Sequence, residues 1–321
     1  MKGSYHIIVQ NKRIRYEFDI RRNITIIRGD SATGKTTLFD MITLAAKNGD
    51  SSGVMIQCEK QCCTLDGPDW KLVLPALHDC IIFFDESSHF LKTTEFAGMA
   101  KQSDNYFVII TRENLPNLPY SISEIYGIHS SGKYHSMQQT CNEFYQIYST
   151  QNIIKNRKPD KIITEDSNSG YKFFNRICYE TGIPCEHAGG KSRLIHSMQA
   201  QSVRNLLVIA DGACIGPEMN ELYQYMNTHP DTWCYLPESF EWLILKSGLI
   251  GGNTIQEILE HPQDYIESQK YFNWERFFTD ILVQYAQDTP LRYSKHKLNE
   301  AYLHKKAKNA ILNVIAGILF S

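Results

Sequence analysis

The chain has 321 residues, and at about 150 residues per domain this length predicts roughly two domains. Lys and Arg number 33 against 35 Asp and Glu, and the resulting net charge of −2 excludes a uniformly polybasic, histone-like binder. Hydrophobic residues make up 42% and charged residues 21%, which excludes an intrinsically disordered chain.

The first residues and the cysteines bear on the cellular compartment. Residues 1–6 contain no apolar signal core, and no apolar run reaches the length of a membrane span. The nine cysteines are scattered and odd in number, which favours free thiols over a disulfide framework. We therefore expect a cytoplasmic protein.

A glycine-rich loop lies between a predicted strand and a predicted helix. Residues 6–10 and 15–20 predict a β-hairpin, residues 24–27 a buried strand, and residues 37–46 a helix. Between that strand and helix, the sequence GDSATGKT at 29–36 fits the pattern G-x-x-x-x-G-K-[ST]. This order of strand, loop and helix is the context in which the pattern binds nucleotide phosphates.

The loop predicts a specific set of contacts. The residues expected to bind the nucleotide are Gly29, Asp30, Ser31, Ala32, Thr33, Gly34, Lys35, Thr36 and Thr37. The glycines let backbone N–H groups point at phosphate oxygens, and the helix N-terminus adds its positive dipole end. We expect Lys35 to pair with the β- and γ-phosphates, Thr36 to contact Mg²⁺, and Thr37 to lie near the α-phosphate.

Two later strands end in charged residues. Residues 80–84 predict a buried strand followed by Asp85 and Glu86, and residues 106–110 predict one followed by Thr111 and Arg112. The first pair resembles a Walker B element, which implies that Asp85 holds Mg²⁺ and Glu86 polarises the attacking water. In P-loop ATPases a residue placed like Arg112 often senses the γ-phosphate. The alternatives are a helix N-cap for the acids and a surface arginine.

The N-terminal half resembles P-loop ATPases, and its opening hairpin resembles the start of ABC-like and SMC-like members. It lacks an L-S-G-G-Q-like signature between Lys35 and Asp85, which argues against dimeric hydrolysis of the ABC type. It also has no N-K-x-D guanine motif and no convincing D-x-x-G switch after the loop, so we expect ATP in place of GTP.

A second α/β pattern follows a polar, basic linker at residues 150–160. Its predicted strands are 161–166, 185–188 and 205–211, and its predicted helices are 169–181, 193–201 and 218–228. Acidic residues end the first and last of these strands. The pattern predicts a parallel sheet with a site at its carboxyl edge.

Residues 160–250 resemble the Toprim domain of topoisomerases, primases and OLD-type nucleases. Glu165 matches the acid that ends the first Toprim strand, Asp211 opens a D-x-D-like segment, and Glu241 closes a P-x-x-x-E segment. The resemblance implies that these three residues hold Mg²⁺ against a phosphodiester, which requires their carboxylates to converge. Ala213 stands in place of the second Asp, and we considered Asp166 and Glu218 as substitutes. An inactive, purely binding domain therefore stays open.

Residues 254–321 are predicted to be helical and carry a basic surplus. The cationic residues that form this surplus are Arg292, Lys295, Lys297, Lys305, Lys306 and Lys308. With the interleaved Tyr293 and Tyr302 they predict a nucleic-acid backbone contact, and a solvated helix face is the alternative. Because P-loop ATPases often complete their sites between subunits, a homo-oligomer is a further hypothesis.

The sequence thus predicts an α/β protein with a P-loop NTPase domain at 1–150, a Toprim-like domain at 151–253 and a helical segment at 254–321. Architecturally, this order resembles OLD-family ATPase–Toprim proteins. It implies Mg²⁺-dependent ATP hydrolysis coupled to a domain that binds or cleaves nucleic acid, in phage defence or a mobile element. The alternatives are an ATP-gated binding protein with an inactive second domain, and a small-molecule phosphotransferase.

Overall fold

The computed structural model describes residues 1–29, 33–130, 139–148, 156–315 and 317–320. The chain divides into two units. The first contains Met1–Tyr148 and Pro262–Asn273, and the second contains Ser149–His261 and Trp274–Ser321. The short stretch 262–273 therefore belongs to the first unit, although in sequence it lies between the two parts of the second unit. Most of the predicted linker at 150–160 lies outside the described residues.

The first unit is built on one large sheet. Its strands are β1 (Tyr5–Gln10), β2 (Ile14–Ile20), β3 (Ile24–Ile27), β4 (Met55–Gln57), β5 (Gln61–Thr64), β6 (Cys80–Phe84), β7 (Tyr106–Ile110), β8 (Ile125–Ser130) and β9 (Thr140–Gln146). Its helices are α1 (Lys35–Asn48), α2 (Trp70–Val73) and α3 (Thr94–Gln102). Within the described residues, the strand order is β4-β1-β2-β9-β8-β3-β7-β6-β5.

The centre of this sheet is parallel and fully buried. Strand β7 lies between β3 and β6 and pairs in parallel with both. Every residue of these three strands is buried, as their predominantly apolar sequences predict. The predicted hairpin is confirmed as the antiparallel pair β1 and β2, and antiparallel pairing of β8 with β9 makes the sheet mixed. The strands β4, β5, β8 and β9 are short or half-exposed, and they were not predicted from the sequence.

The second unit has a smaller sheet with helices. Its strands are β10 (Lys161–Thr164), β11 (Cys185–His187), β12 (Leu206–Ile209) and β13 (Thr232–Tyr235). Its helices are α4 (Ser169–Thr181), α5 (Lys191–Gln199), α6 (Met219–Thr228), α7 (Phe240–Lys246), α8 (Asn253–Glu260), α9 (Trp274–Ala286) and α10 (Lys305–Val314). In the described part of the unit, the strand order is β11-β10-β12-β13, with parallel pairing throughout. The predicted α/β class with a parallel second sheet is confirmed.

The C-terminal part of the chain departs from the predicted helical segment at 254–321. Three helices of that range (α8, α9 and α10) belong to the second unit, and irregular stretches separate them. Ser268 shows why 262–273 belongs to the first unit. It is fully buried, its Oγ accepts a hydrogen bond from the Met1 amino group at 2.9 Å, and its carbonyl accepts one from Asn23 at 2.9 Å. Such long-range polar contacts leave no periodic signal in a sequence.

No helix in the described part of the chain is both long and apolar enough to cross a membrane.

A buried ion cluster holds the strand that leads into the glycine loop. Glu124, which is 0% exposed, precedes β8, and its Oε1 accepts a hydrogen bond from Arg21 Nε at 3.0 Å. Arg22 Nε lies 3.4 Å from the same oxygen. Both arginines lie just before β3, which pairs in parallel with β8. The cluster therefore fixes the start of β3 against its neighbour.

We predict that Glu124→Gln lowers the free energy of unfolding by about 3–5 kcal/mol, because it leaves buried arginine charge without its carboxylate. The matched control is Glu17→Gln, which breaks the partly exposed pair of Arg15 Nη2 with Glu17 Oε2 at 2.8 Å. That change should cost at most about 1 kcal/mol. Urea unfolding of both variants measures the difference, and equal losses would contradict the structural role of the cluster.

Candidate functional site

The glycine loop begins directly after β3 and ends at the first residue of α1. Gly29 and Gly34 have φ angles of 138° and 87°, which lie in the region that favours glycine. A Cβ atom at Gly34 would lie 2.7 Å from the Tyr16 hydroxyl. Glycine is thus required at this position by backbone angle and by space. The predicted ligands Asp30, Ser31 and Ala32 lie outside the described residues.

Tyr16 supports the loop from β2. Its hydroxyl donates a hydrogen bond to the Gly34 carbonyl at 2.8 Å, and it is also hydrogen-bonded to the side chain of Thr37. Burial raises the pKa of Tyr16, so the hydroxyl stays protonated and remains a donor. The opening hairpin therefore positions the turn into α1.

Lys35 is held inside the loop. It is 5% exposed, and its Nζ donates to the Gly29 carbonyl at 2.9 Å and to Thr33 Oγ1 at 3.0 Å. Its backbone begins the 14-residue helix α1, whose N-terminus carries partial positive charge. Thr36, the next residue, is exposed. An ammonium group, a glycine turn and a helix N-terminus at one place fit the phosphates of a nucleotide.

The two neighbouring strands end at the same edge of the sheet as β3. Ile27 pairs with Ile110, and Ile109 pairs with Phe84. Asp85 and Glu86 follow β6, and Arg112 lies two residues after β7. Parallel register therefore brings the ends of all three strands to the edge that carries the glycine loop.

Arg112 and Glu86 form an ion pair at this edge, with Nε 3.1 Å from Oε1. Both side chains are more than one-third exposed, so the contact contributes little to stability. It does place the predicted catalytic acid and the predicted phosphate sensor next to each other. Asp85 and the exposed Thr36 are oxygen donors of the type that Mg²⁺ prefers, and the donor chemistry of this edge fits a Mg²⁺–nucleotide complex.

The second unit contains a cavity of about 30 Å³ at the carboxyl edge of its parallel sheet. The three acids expected to converge, Glu165, Asp211 and Glu241, all line it. The Asp211 N–H donates to Glu165 Oε2 at 3.2 Å, which links the ends of β10 and β12. Glu241, 2% exposed on α7, accepts a hydrogen bond from the Tyr293 hydroxyl on its Oε1 at 2.6 Å.

Two further charged residues belong to this carboxylate cluster, and neither was predicted from the sequence to lie there. Lys295 lines the same cavity, and its ammonium group contacts Glu275 Oε1. The other oxygen of Glu275, which lies on α9, accepts a hydrogen bond from the Cys214 thiol at 3.6 Å. We call Glu165, Asp211, Glu241 and Glu275 together the acid cluster.

The carboxylates of the acid cluster lie close together and partly out of water, which raises the pKa of Glu165 and of Asp211. Burial, together with the charge of Glu275, raises the pKa of Glu165 to about 7. Burial and the charges of Glu275, Glu165 and Glu241 raise the pKa of Asp211 well above its usual range. Burial alone would lower the pKa of Lys295, but the charges of Glu275, Glu241 and Asp211 raise it, so its ammonium form is retained.

Several other sequence predictions for this unit need correction. Tyr293 and Tyr302 are buried, so neither can stack on a nucleotide base. Glu218 does not line the cavity, and its Oε1 lies 3.8 Å from Lys191 Nζ. Asp166 lines the cavity, but its Oδ1 accepts a hydrogen bond from the Asn168 N–H at 3.1 Å, ahead of α4.

The acid cluster does not fit a divalent cation as it stands. In the described residues, no three His, Cys, Asp or Glu side chains are arranged to hold a metal ion. Oxygens of Glu165, Glu241 and Glu275 already accept hydrogen bonds or an ion pair from protein groups. The implied Mg²⁺ site of a Toprim nuclease is thus not formed by these side chains.

No protein-family model matches this chain, and no curated protein matches it significantly.

We predict that Tyr293→Phe lowers the free energy of unfolding by about 1.5–3 kcal/mol, because it removes a hydrogen bond to a buried carboxylate. Tyr179→Phe is the control, since that tyrosine is 79% exposed and loses only a solvated hydroxyl. Thermal unfolding followed by circular dichroism measures both. Equal stability of the two variants would show that Tyr293 does not hold Glu241.

Proposed function

We propose that this protein is a Mg²⁺-dependent ATPase. The observation that carries the proposal is the meeting of three strand ends at one edge: the glycine loop with buried Lys35 after β3, Arg112 after β7, and Asp85 with Glu86 after β6. Phosphoryl transfer requires positive charge around the phosphates and a base beside the attacking water. This edge offers both kinds of group within one unit.

Each residue has a role in the proposal. Lys35 and the N–H groups at the start of α1 bind the β- and γ-phosphates, and Glu86 orients and polarises the attacking water. Arg112, paired with Glu86, senses the γ-phosphate. Thr36 and Asp85 would hold Mg²⁺, which would supply positive charge to neutralise the phosphates. ATP is preferred over GTP because the sequence has no guanine-specific motif.

For the second unit we propose an ATP-regulated nucleic-acid-binding module. Four cationic side chains near the C-terminus are exposed, namely Arg292, Lys297, Lys305 and Lys306. Lys308 is not available in the same way, because it pairs with Glu180. Exposed lysines and arginines bind phosphate backbones without sequence preference.

A second candidate function is metal-dependent cleavage of nucleic acid by a Toprim-like second unit. The convergence of Glu165, Asp211 and Glu241 favours it, and the misfit with a divalent cation disfavours it. We therefore rank the binding module first. A homo-oligomer and a cytoplasmic location stay predictions, and a phosphotransferase ranks last because the sequence between the two nucleotide motifs has no Arg-rich lid.

We predict that Lys35→Ala abolishes ATP binding and turnover, and that Glu86→Gln keeps ATP binding but lowers turnover by about 10²–10⁴-fold. The difference arises because Lys35 contacts phosphates whereas Glu86 acts on water. Lys47→Ala removes an exposed lysine from the last turn of the same helix and should behave as wild type. Phosphate release and binding of a fluorescent ATP analogue are the measurements. Equal turnover in wild type and Lys35→Ala would refute the ATPase.

We predict that the double variant Lys305→Ala, Lys306→Ala weakens nucleic-acid binding and lowers the slope of log K against log salt concentration by about two. Fluorescence anisotropy with labelled DNA and RNA, with and without ATP, measures this effect and its regulation. The control Lys12→Ala, Arg13→Ala removes the same charge from the turn of the opening hairpin. If both variants lose the same affinity, the C-terminal residues are not the binding surface.

A further inference from the structure

The chain around Lys295 is fixed to the start of α4. The Ser169 N–H donates to the Lys295 carbonyl at 2.9 Å, and Ser169 Oγ donates to the Ser294 carbonyl at 2.8 Å. One residue further on, His296 Nδ1 is hydrogen-bonded to Asn168 Oδ1 at 2.9 Å, and Lys172 Nζ donates to the His296 carbonyl. Lys295 is thus attached on both sides to the helix that follows β10.

This attachment places an ammonium group among carboxylates. Lys295 contacts Glu275 and lines the cavity with Glu165, Asp211 and Glu241. Several carboxylates taken out of water cost several kcal/mol each unless positive charge or hydrogen-bond donors compensate them. In the acid cluster, three groups of the chain itself compensate the carboxylates. They are the Lys295 ammonium, the Tyr293 hydroxyl and the Asp211 N–H.

The ammonium group of Lys295 disfavours a hydrated metal ion at the acid cluster. The cavity that the two would share is small, about 30 Å³. Mg²⁺ demands near-octahedral oxygen coordination and usually keeps several of its waters. A divalent cation bound beside Lys295 would also be repelled by the positive charge of the ammonium group.

We propose that Lys295 is a built-in counter-ion that takes the position of a divalent cation in the acid cluster, so that the second unit works without a metal. Removing the ammonium group while keeping the length of the side chain should then open a divalent-cation site. The proposal concerns the second unit alone and does not depend on ATP hydrolysis by the first.

The experiment titrates the full chain with Mn²⁺, without nucleotide or nucleic acid, and counts bound ions by electron paramagnetic resonance. We expect Lys295→Met to bind one more Mn²⁺ than wild type, at least about ten-fold more tightly than any wild-type binding at the cluster, because an adjacent positive charge is lost. Lys295→Arg keeps the charge and should match wild type. The double variant Lys295→Met, Asp211→Asn should lose the added site.

Two results would overturn the proposal. One is Mn²⁺ binding by wild type that Asp211→Asn weakens, since this would mean that the cluster already holds a metal. The other is a Lys295→Met variant that unfolds at a temperature near that of wild type but gains no Mn²⁺ site. If Lys295→Met does not fold, wild type and Asp211→Asn decide, and identical Mn²⁺ binding by these two supports the proposal. Because no ATP is present, failure here is distinguishable from failure of the ATPase.

Discussion

Both units depend on buried strands that pair in parallel, because parallel pairing brings the residues after each strand to one edge of the sheet. In the first unit β3, β7 and β6 are buried along their whole length, so polar chemistry can begin only where they end. In the second unit, β12 is buried along its whole length and β10 along its last three residues. Crossover connections between parallel strands are long, and they leave this edge free for loops that carry function.

The two edges present different groups, and each balances its charge in its own way. Around the glycine loop the chain presents donors, namely backbone N–H groups at the start of α1 and the Lys35 ammonium, which invite an anion. At the second edge the chain presents acids, and it supplies the compensating donors from distant segments, including Lys295 and Tyr293. An edge that presents donors favours a phosphate ligand, whereas an edge whose acids are already paired has less to gain from an added cation.

What the sequence could predict follows from which interactions are local. Apolar runs predicted β3, β6, β7, β10 and β12, because a buried parallel strand is apolar along its length. The acids at strand ends could be found for the same reason, since each directly follows its strand. Short strands with exposed residues, such as β4, have no such pattern and were missed.

Residues brought to a site by tertiary folding could not be found in this way. Glu275 lies on α9, more than one hundred residues after Glu165, and nothing near it marks it as a site residue. Tyr293 and Lys295 lie in a segment rich in basic residues, and their spacing suggested a surface that binds nucleic acid. The number of basic residues counted from the sequence was correct, but a count does not show where each side chain lies. Tyr293 is buried, and the Lys295 ammonium contacts Glu275.

The position of Glu275 offers a reason why the chain has Ala213 where the Toprim resemblance implies a second Asp. Ala213 is buried, and an aspartate there would add desolvated negative charge close to Asp211, whose pKa is already raised. In this chain the fourth carboxylate comes instead from α9 and arrives together with its own cation, Lys295. The ion pair with Lys295 therefore compensates the negative charge that Glu275 adds to the acid cluster. In the arrangement that we propose, the Lys295 ammonium lies among these acids where a metal-dependent site would hold a cation.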